Sequence, residues 1–283
     1  MKAKTDVIQT LLEALPYIKK FRKETVVIKY GGSAQSSDEL KAKFAQDIVM
    51  LHTVGIRPVV IHGGGSSITK LLDELGIESK FVDGQRVTSK EAIRIAEMVL
   101  SGEINKEIVA LLNSQGAKAV GISGKDGNLF EAIAKDGGAF GYTGEIAHVD
   151  TTLLDNMLKD DFVPVIAPIA SGGVVGHPGY NINADLAASK IAASINARKI
   201  LFLTDTVGVL DKNGELIRTL DLQETEALKA DGTIYGGMVP KVDACIEAVR
   251  GGVKKAHIID GRLEHSLLLE ILTNRGVGTC IEL

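Results

Sequence analysis

Two cysteines are all this 283-residue chain carries, and Cys245 and Cys280 form neither a CxxC pair nor a Cys/His knuckle. That excludes a disulfide framework and a cysteine-held metal, and predicts two reduced, buried thiols. No run of about 18 apolar residues exists to span a bilayer. Residues 1–24 are studded with lysines and acids and lack the apolar centre of a secretory leader, so a cytoplasmic location is expected. The net charge is −4 with no basic excess, which argues against nucleic acid as a partner. Neither GxxxxGK(S/T) nor GxGxxG occurs, so no P-loop or dinucleotide turn is expected. No Ser/His/Asp arrangement and no cluster of metal-ligating side chains stands out.

Glycine is abundant: 31 residues, gathered as GGS, HGGG, SGG and GGM at the ends of apolar runs. These read as punctuation after strands rather than as flexible linker. The length leaves room for one large α/β domain or two lobes. Val7, Ile8, Leu11, Leu12, Leu15, Ile18 and Phe21 recur at helical spacing over residues 5–22. Pro16 is expected to kink that helix. Such a stripe either packs on its own domain or covers a partner. A terminal helix is free to leave the core, which favours an oligomer interface.

From residue 25 the order is strand, glycine turn, helix, repeated. TVVIKY, RPVVIH, KAVGI, FVPVIAPI, KILFLT and AHIID are short, nearly unbroken apolar runs, as expected of parallel strands covered on both faces. Helices are expected near 38–54, 66–75, 89–100, 103–115, 152–160, 184–196, 222–230, 239–251 and 262–274. The alternation predicts an α/β fold with a mainly parallel sheet and right-handed crossovers. Residues 123–149 are polar and glycine-bearing and predict hairpins beside that sheet. SGGVVGHPGY at 171–180 marks a soft boundary between two halves.

Ligands of open parallel sheets bind outside the carboxyl ends of the strands. Three glycine-bearing turns are expected there: Gly31-Gly32-Ser33, Gly63-Gly64-Gly65 and Thr204 to Gly208. Backbone N–H groups in such turns, followed by a helix N-terminus, cradle anions. Lys29 stands beside the first turn, and its ammonium either faces an anion or snorkels at the sheet rim. Lys241 stands just inside a helix after Gly236-Gly237, where lysine opposes the macrodipole and an anion would compensate. Two such lysines from opposite halves suggest a cleft with a phosphate between them. Asp185 opens an alanine-rich helix after Asn181 and Asn183. It is either a dipole-favoured acid behind an Asn183 cap or a carboxylate that orients the lysines. Arg86 either grips a carboxylate bidentately or lies on the surface. Ser89 or Thr88 caps the helix that follows DGQRVT. His62 reads as packed and hydrogen-bonded, since no nucleophile pairs with it.

VVIKYGG, VVIHGGG, DGQRVT, NINAD, LFLTDTVGVL, GGMVPKV and LLEILTNRGVGTCI occur in this order from residue 25 onward. Together they resemble the amino-acid kinase family, most closely its branch that phosphorylates N-acetyl-L-glutamate. The resemblance implies a three-layer α/β/α sandwich with a mainly parallel central sheet, two lobes and an N-terminal kinked helix. Residues 1–24 would form the oligomerisation helix, 25–180 the acetylglutamate-binding lobe and 181–283 the ATP-binding lobe. The implied reaction is ATP-dependent phosphorylation of the side-chain carboxylate of N-acetyl-L-glutamate to the acyl phosphate, in arginine biosynthesis.

By the same resemblance, Lys29 and Lys241 stabilise the transferring phosphoryl group and Asp185 organises them. Gly32 and Gly65 donate backbone N–H groups to its oxygens. Gly64, Gly65, Arg86 and Asn181 contact N-acetyl-L-glutamate, with Arg86 on the α-carboxylate. Asp205, Thr206, Gly208, Leu210, Thr233, Tyr235 and Lys241 bind the nucleotide. Mg²⁺ rides on the phosphates of ATP rather than in a protein cage. A carboxylate is already ionised at neutral pH and needs no general base, which suits a site without a poised histidine.

Residues 5–22 resemble the extra kinked helix of arginine-inhibited members. Those interlace the helix into a hexamer, a trimer of dimers, and bind arginine between it and the C-terminal segment. Arginine is therefore an expected inhibitor, and binding of a PII-type signalling protein stays open. Ser66 and Ser67 make the turn after the three glycines more polar than the family pattern, and Tyr30 replaces a commoner Leu or Phe. The alternatives are another amino-acid kinase (glutamate 5-kinase, aspartokinase or carbamate kinase) or a non-catalytic arginine or nucleotide sensor. GQRVT with NINAD argues against the first, and the intact lysine pair with Asp185 against the second.

Overall fold

The strand Thr25–Tyr30 alternates its side chains between two cores. Val26, Ile28 and Tyr30 pack on one side of the sheet, and Val27 packs on the other. Lys29 shares the parity of Val27, so strand geometry alone assigns it a face. The structure, a computed structural model, describes residues 2–82, 84–274 and 276–283. Asp83, Arg275 and the side chains of Val7 and Ser33, which figure in the motifs above, lie outside the described residues.

In chain order, α1 (Lys2–Phe21) precedes β1 (Thr25–Tyr30), a 3₁₀ turn (Gly32–Gln35) and α2 (Asp38–Thr53). Next come β2 (Arg57–His62), α3 (Gly65–Glu74) and the hairpin of β3 (Lys80–Val82) and β4 (Gln85–Val87). One helical run follows: α4 (Lys90–Glu97), a π-helical stretch (Met98–Ile104) and α5 (Asn105–Ser114). Then come β5 (Ala119–Ser123), β6 (Phe130–Ala134), β7 (Thr143–Val149), α6 (Thr152–Lys159), β8 (Val163–Ala167), β9 (Ile169–Ala170) and β10 (Tyr180–Ile182). The chain continues through α7 (Ala184–Ser194), β11 (Lys199–Thr204), β12 (Thr219–Leu220), α8 (Leu222–Ala230) and α9 (Met238–Arg250). It closes with β13 (Ala256–Asp260), α10 (Ser266–Leu272) and β14 (Thr279–Ile281).

Eight strands form the main sheet in the order β12-β14-β13-β11-β1-β2-β8-β5. All neighbours run parallel except β13 with β14. Helices α2, α3, α4, α5 and α10 bury Leu51, Leu72, Ile93, Leu112 and Ile271 on one face. Helices α6, α7 and α9 bury Leu154, Ile191 and Val249 on the other. This is the expected three-layer sandwich. Small residues on α7, Ala188 and Ser189, let α9 approach closely, and Ser189 Oγ donates to Ala244 O at 2.7 Å. A second sheet, β6-β7-β10-β9, lies beside the first; its antiparallel β6–β7 pair falls in 123–149, where hairpins are expected, and β9 and β10 join it from beyond that stretch.

Four details depart from the sequence reading. FVPVIAPI is two strands in two sheets, because Pro168 ends the ladder between β8 and β9. The two helices expected at 89–100 and 103–115 are joined, since π-type hydrogen bonding carries the backbone through Gly102. The last helix starts only at Ser266, after His265 in the left-handed region at φ 57°. Residues 80–82 and 85–87 pair as the β3–β4 hairpin, where the sequence reading places no strand. In α1, Phe21 is buried and Tyr17 and Ile18 pack on the core, while Ile8, Leu11, Leu12 and Leu15 are exposed. Both cysteines are free, Cys245 buried and Cys280 partly so. No described helix is long and apolar enough to cross a membrane.

Candidate active site

At the carboxyl end of β1, Lys29 turns toward the α7 face and meets the first acid of that helix. Lys29 Nζ stands 2.9 Å from Asp185 Oδ1, with side chains only 12% and 13% exposed. The distance is that of a charge-assisted contact between ammonium and carboxylate. Asn183 caps α7 as expected, accepting from the N–H groups of Asp185 at 2.8 Å and Leu186 at 3.2 Å. Capping therefore falls to Asn183, and Asp185 is left to face the lysine.

Two glycine turns flank this pair. At Gly31 a Cβ would collide with the carbonyl oxygen of Leu203 and lie 3.6 Å from Lys29 Nζ. Only glycine lets β1 leave the sheet so close to β11. Gly32 and Gly65 have nothing within 4 Å of a Cβ position, so both border open space. α3 starts at Gly65 with Gly64 as its cap and no side-chain cap bond. Its first N–H groups are bare, which suits an anion.

A cavity of about 200 Å³ joins Lys29, Gly64, Gly65, Arg86, Asn181 and Asp185. Arg86 is buried rather than a surface residue. It donates to Gly65 O at 2.9 Å, to Thr69 Oγ1 at 2.8 Å and to Ser79 Oγ. Its guanidinium stacks on Phe81, 4.6 Å from the ring centroid. Burial lowers its pKa, and the Asp73 charge partly offsets this. Asn181 Nδ2 donates to Thr88 Oγ1 at 3.4 Å. Ser89, not Thr88, caps the following helix, accepting from Ala92 N.

A second cavity, about 780 Å³, is lined by Asp205, Thr206, Gly208, Leu210, Thr233, Tyr235 and Lys241. Thr204 Oγ1 donates to Asp205 Oδ1 at 3.0 Å. That bond, the residue's own N–H and the nearby Lys241 and Arg262 charges hold the Asp205 carboxyl below its usual range. Both cavities lie along one edge of the sheet, since β1 and β11 are parallel neighbours with Lys29 beside Phe202. Lys29 borders the first cavity and Lys241 the second. Asp185 and Lys241 are carried by the packed pair α7 and α9.

Sequence reasoning missed Phe81, Gln85 and Thr143 in the first cavity, and Lys212 and Met238 in the second. The Asp83-Gly84 pair between FV and QRV was a usable hairpin signal for Phe81. Nothing local announces Thr143. Among the described residues, no group of three or more His, Cys, Asp or Glu side chains is placed to hold a metal ion.

A third cavity, about 480 Å³, opens between the end of α1 and the C-terminal segment. Lys20, Lys199, Arg218 and Lys255 line it together with Glu270. Glu270 lies 2.8 Å from His257 Nδ1 and 3.9 Å from Lys199 Nζ.

Bare helix N-terminal amides beside a lysine–aspartate pair, with a separate large cavity on the same sheet edge, define a phosphotransferase-type site on an α/β sandwich. The model of the Amino acid kinase family matches residues 24–260, and the chain belongs to that family. It is 69% identical over 283 residues to the acetylglutamate kinase of Sulfurovum sp. (strain NBC37-1), covering 100% of both chains. Among solved structures it resembles the N-acetylglutamate synthase of Neisseria gonorrhoeae complexed with coenzyme A and N-acetyl-glutamate. The TM-score is 0.87 at 28% identity, covering 98% of this chain and 63% of the synthase. A complex of that synthase with coenzyme A and L-arginine gives a TM-score of 0.83 at 26% identity, covering 97% and 65%. The chain thus spans less than two thirds of the synthase's length.

Proposed function

We propose that this chain transfers the γ-phosphoryl group of ATP to the side-chain carboxylate of N-acetyl-L-glutamate, in arginine biosynthesis. A carboxylate oxygen bonds to the γ-phosphorus, the bond to the β,γ-bridging oxygen breaks, and ADP leaves with that electron pair. The observation that carries the reading is the 69% identity over the full length of an acetylglutamate kinase. The obstacle in such a reaction is repulsion between an acid and a triphosphate, since the acid arrives already ionised. Positioned cations and N–H donors remove it.

In this reading Arg86 holds the α-carboxylate of the acceptor, with Asn181 and Gly64 completing its contacts. Gly32 and Gly65 donate N–H groups to the phosphoryl oxygens. Lys29 and Lys241 neutralise the charge that shifts during transfer, and Asp185 orients them. ATP lies over Asp205, Thr206, Gly208, Leu210, Thr233 and Tyr235, and Mg²⁺ enters on its phosphates as part of the substrate.

The third cavity suits free arginine: lysines for its carboxylate and Glu270 for its guanidinium. The exposed Ile8, Leu11, Leu12 and Leu15 suit a partner helix and hence a hexamer. The test is ADP formation with N-acetyl-L-glutamate or glutamate as acceptor, with and without arginine. Turnover of glutamate but not of N-acetyl-L-glutamate would reassign the chain to another amino-acid kinase. Removing residues 1–22 is expected to give smaller particles that ignore arginine, read by gel filtration and assay.

A further inference from the structure

Beneath the Gly63–Gly65 turn lies a buried polar chain that the phosphotransfer reading leaves unused. His62, the last residue of β2, is fully buried, and its Nδ1 lies 3.0 Å from Gly63 O. Its Nε2 lies 3.3 Å from Nδ2 of Asn105, which is also fully buried. The Asn105 amide is oriented by its other partners. Its nitrogen faces Val165 O at 2.9 Å and Ile122 O at 3.3 Å, and its oxygen accepts from Lys106 Nζ at 2.9 Å. A carbonyl oxygen can only accept, so the ring hydrogen sits on Nδ1 and is donated to Gly63 O; the unprotonated Nε2 then faces the Asn105 amide nitrogen, whose two hydrogens are shared among three acceptors. Burial pushes the His62 pKa down to about 4, which keeps the ring neutral and this tautomer in place near pH 7.

The surroundings are shaped around that chain. At Gly121 a Cβ would collide with Asn105 Oδ1. At Gly64 a Cβ would collide with Ile104 Cδ1 and come within 2.6 Å of Leu100 Cδ2. Leu100 and Ile104 belong to the π-helical stretch that ends where Asn105 begins. One segment therefore sets Asn105 under His62 and seats Gly64. π-helical insertions are rare and concentrate at functional sites.

Peptide planarity gives the arrangement its consequence. Gly63 N donates to Tyr30 O at 3.1 Å, and Gly63 O accepts from His62, so both sides of Gly63 are tied. In a planar trans peptide the Gly64 N–H points opposite to the Gly63 carbonyl. Holding that carbonyl down on the ring aims the Gly64 N–H away from it, and Gly64 borders the acceptor cavity.

We propose that His62, held in its Nδ1–H tautomer between Gly63 O and Asn105, is a positioning residue that aims the Gly64 N–H at the acceptor. The proposal rests on the phosphotransfer reading of that cavity. Two substitutions of similar size separate positioning from packing. His62→Asn puts an amide donor where Nδ1–H stood and keeps the bond to Gly63 O. His62→Gln puts its amide at the Nε2 position and loses that bond.

With both variants matched in melting temperature, kcat/KM for N-acetyl-L-glutamate is expected to be at least ~10-fold lower in His62→Gln than in His62→Asn, with KM for ATP unchanged. Values within about threefold of each other, or an ATP KM that rises in step, would overturn the proposal. A second measurement needs no variant and no turnover: ¹⁵N chemical shifts of the His62 ring in the unliganded wild-type protein. A protonated Nδ1 and a bare Nε2 are expected. The opposite tautomer, or a charged ring at pH 7, would overturn the proposal even if N-acetyl-L-glutamate is a substrate. If the wild type fails to use that acceptor, the functional reading falls and the positioning role falls with it, while the ring measurement still decides the tautomer.

Discussion

Lys29 and Asp185 meet at 2.9 Å, joining the strand near the start of the chain to a helix in its second half. The pair is nearly buried. Two charges held this way cost desolvation unless a third group completes the set. Gly64 and Gly65, at the start of α3, line the same cavity as the pair, and no side chain caps that helix. An anionic group fits there by charge and by geometry.

Lys29→Ala is expected to lower kcat by about 10²–10³, or roughly 3–4 kcal/mol of transition-state stabilisation, with little change in either KM. Steady-state ADP formation measures it. A rise in KM at unchanged kcat would mean that Lys29 binds the ground state only.

Arg86 is gripped by Gly65 O, Thr69 and Ser79 and lies over the Phe81 ring. Lysine reproduces the charge but neither the planar fork nor the stacking. Arg86→Lys should raise KM for the acceptor about 10- to 100-fold and leave KM for ATP alone. Equal effects on both substrates would contradict the assignment of Arg86 to the acceptor.

Gly31 and Gly32 are adjacent but differ in their surroundings. A methyl at 31 meets the backbone of Leu203, whereas one at 32 meets nothing within 4 Å. Gly31→Ala should cost about 1–3 kcal/mol in denaturant melting, and Gly32→Ala less than about 0.5 kcal/mol. Equal losses would refute the close approach of β1 to β11.

Burial lowers the His62 pKa from 6.5 to about 4. Between those values the unfolded chain takes up a proton that the folded chain refuses, so stability falls as pH drops through this window. The difference corresponds to about 3 kcal/mol when fully developed below pH 4. His62→Asn should flatten the pH dependence of unfolding between pH 4 and 6.5. A variant with the wild-type slope would show that His62 titrates normally in the fold.

Burial pushes the Glu270 carboxyl up, but the His257 hydrogen bond and the His257 and Lys199 charges outweigh it and hold it below its usual range. The carboxylate is thus ionised at neutral pH in the third cavity. Glu270→Gln should raise the arginine concentration needed for half-inhibition at least ~10-fold. An unchanged inhibition curve would move arginine elsewhere.

Much of this architecture is legible in local patterns. Unbroken apolar runs mark strands buried on both faces, and glycine clusters mark their carboxyl ends. The misses share a cause. FV and QRV are too short to register as strands, and FV is exposed, so the hairpin that brings Phe81 to Arg86 went unseen. Ser101 and Gly102 look like a helix break, yet the backbone passes through them with π-type bonding. His62 reads correctly as packed, but its partner Asn105 lies 43 residues away and carries no local sign of the contact.

Taken alone, the sequence determines what depends on neighbours along the chain. Period-two alternation puts Lys29 opposite Ile28, Asn183 caps the helix of Asp185, and glycines keep the turns at 31–32 and 63–65 free of side chains. Tertiary structure alone decides which of these ends meet. Strand β11 lies against β1, and α7 folds onto the face of Lys29. Those neighbours are chosen by long crossovers and by the burial of both sheet faces, and no short stretch of residues encodes that choice.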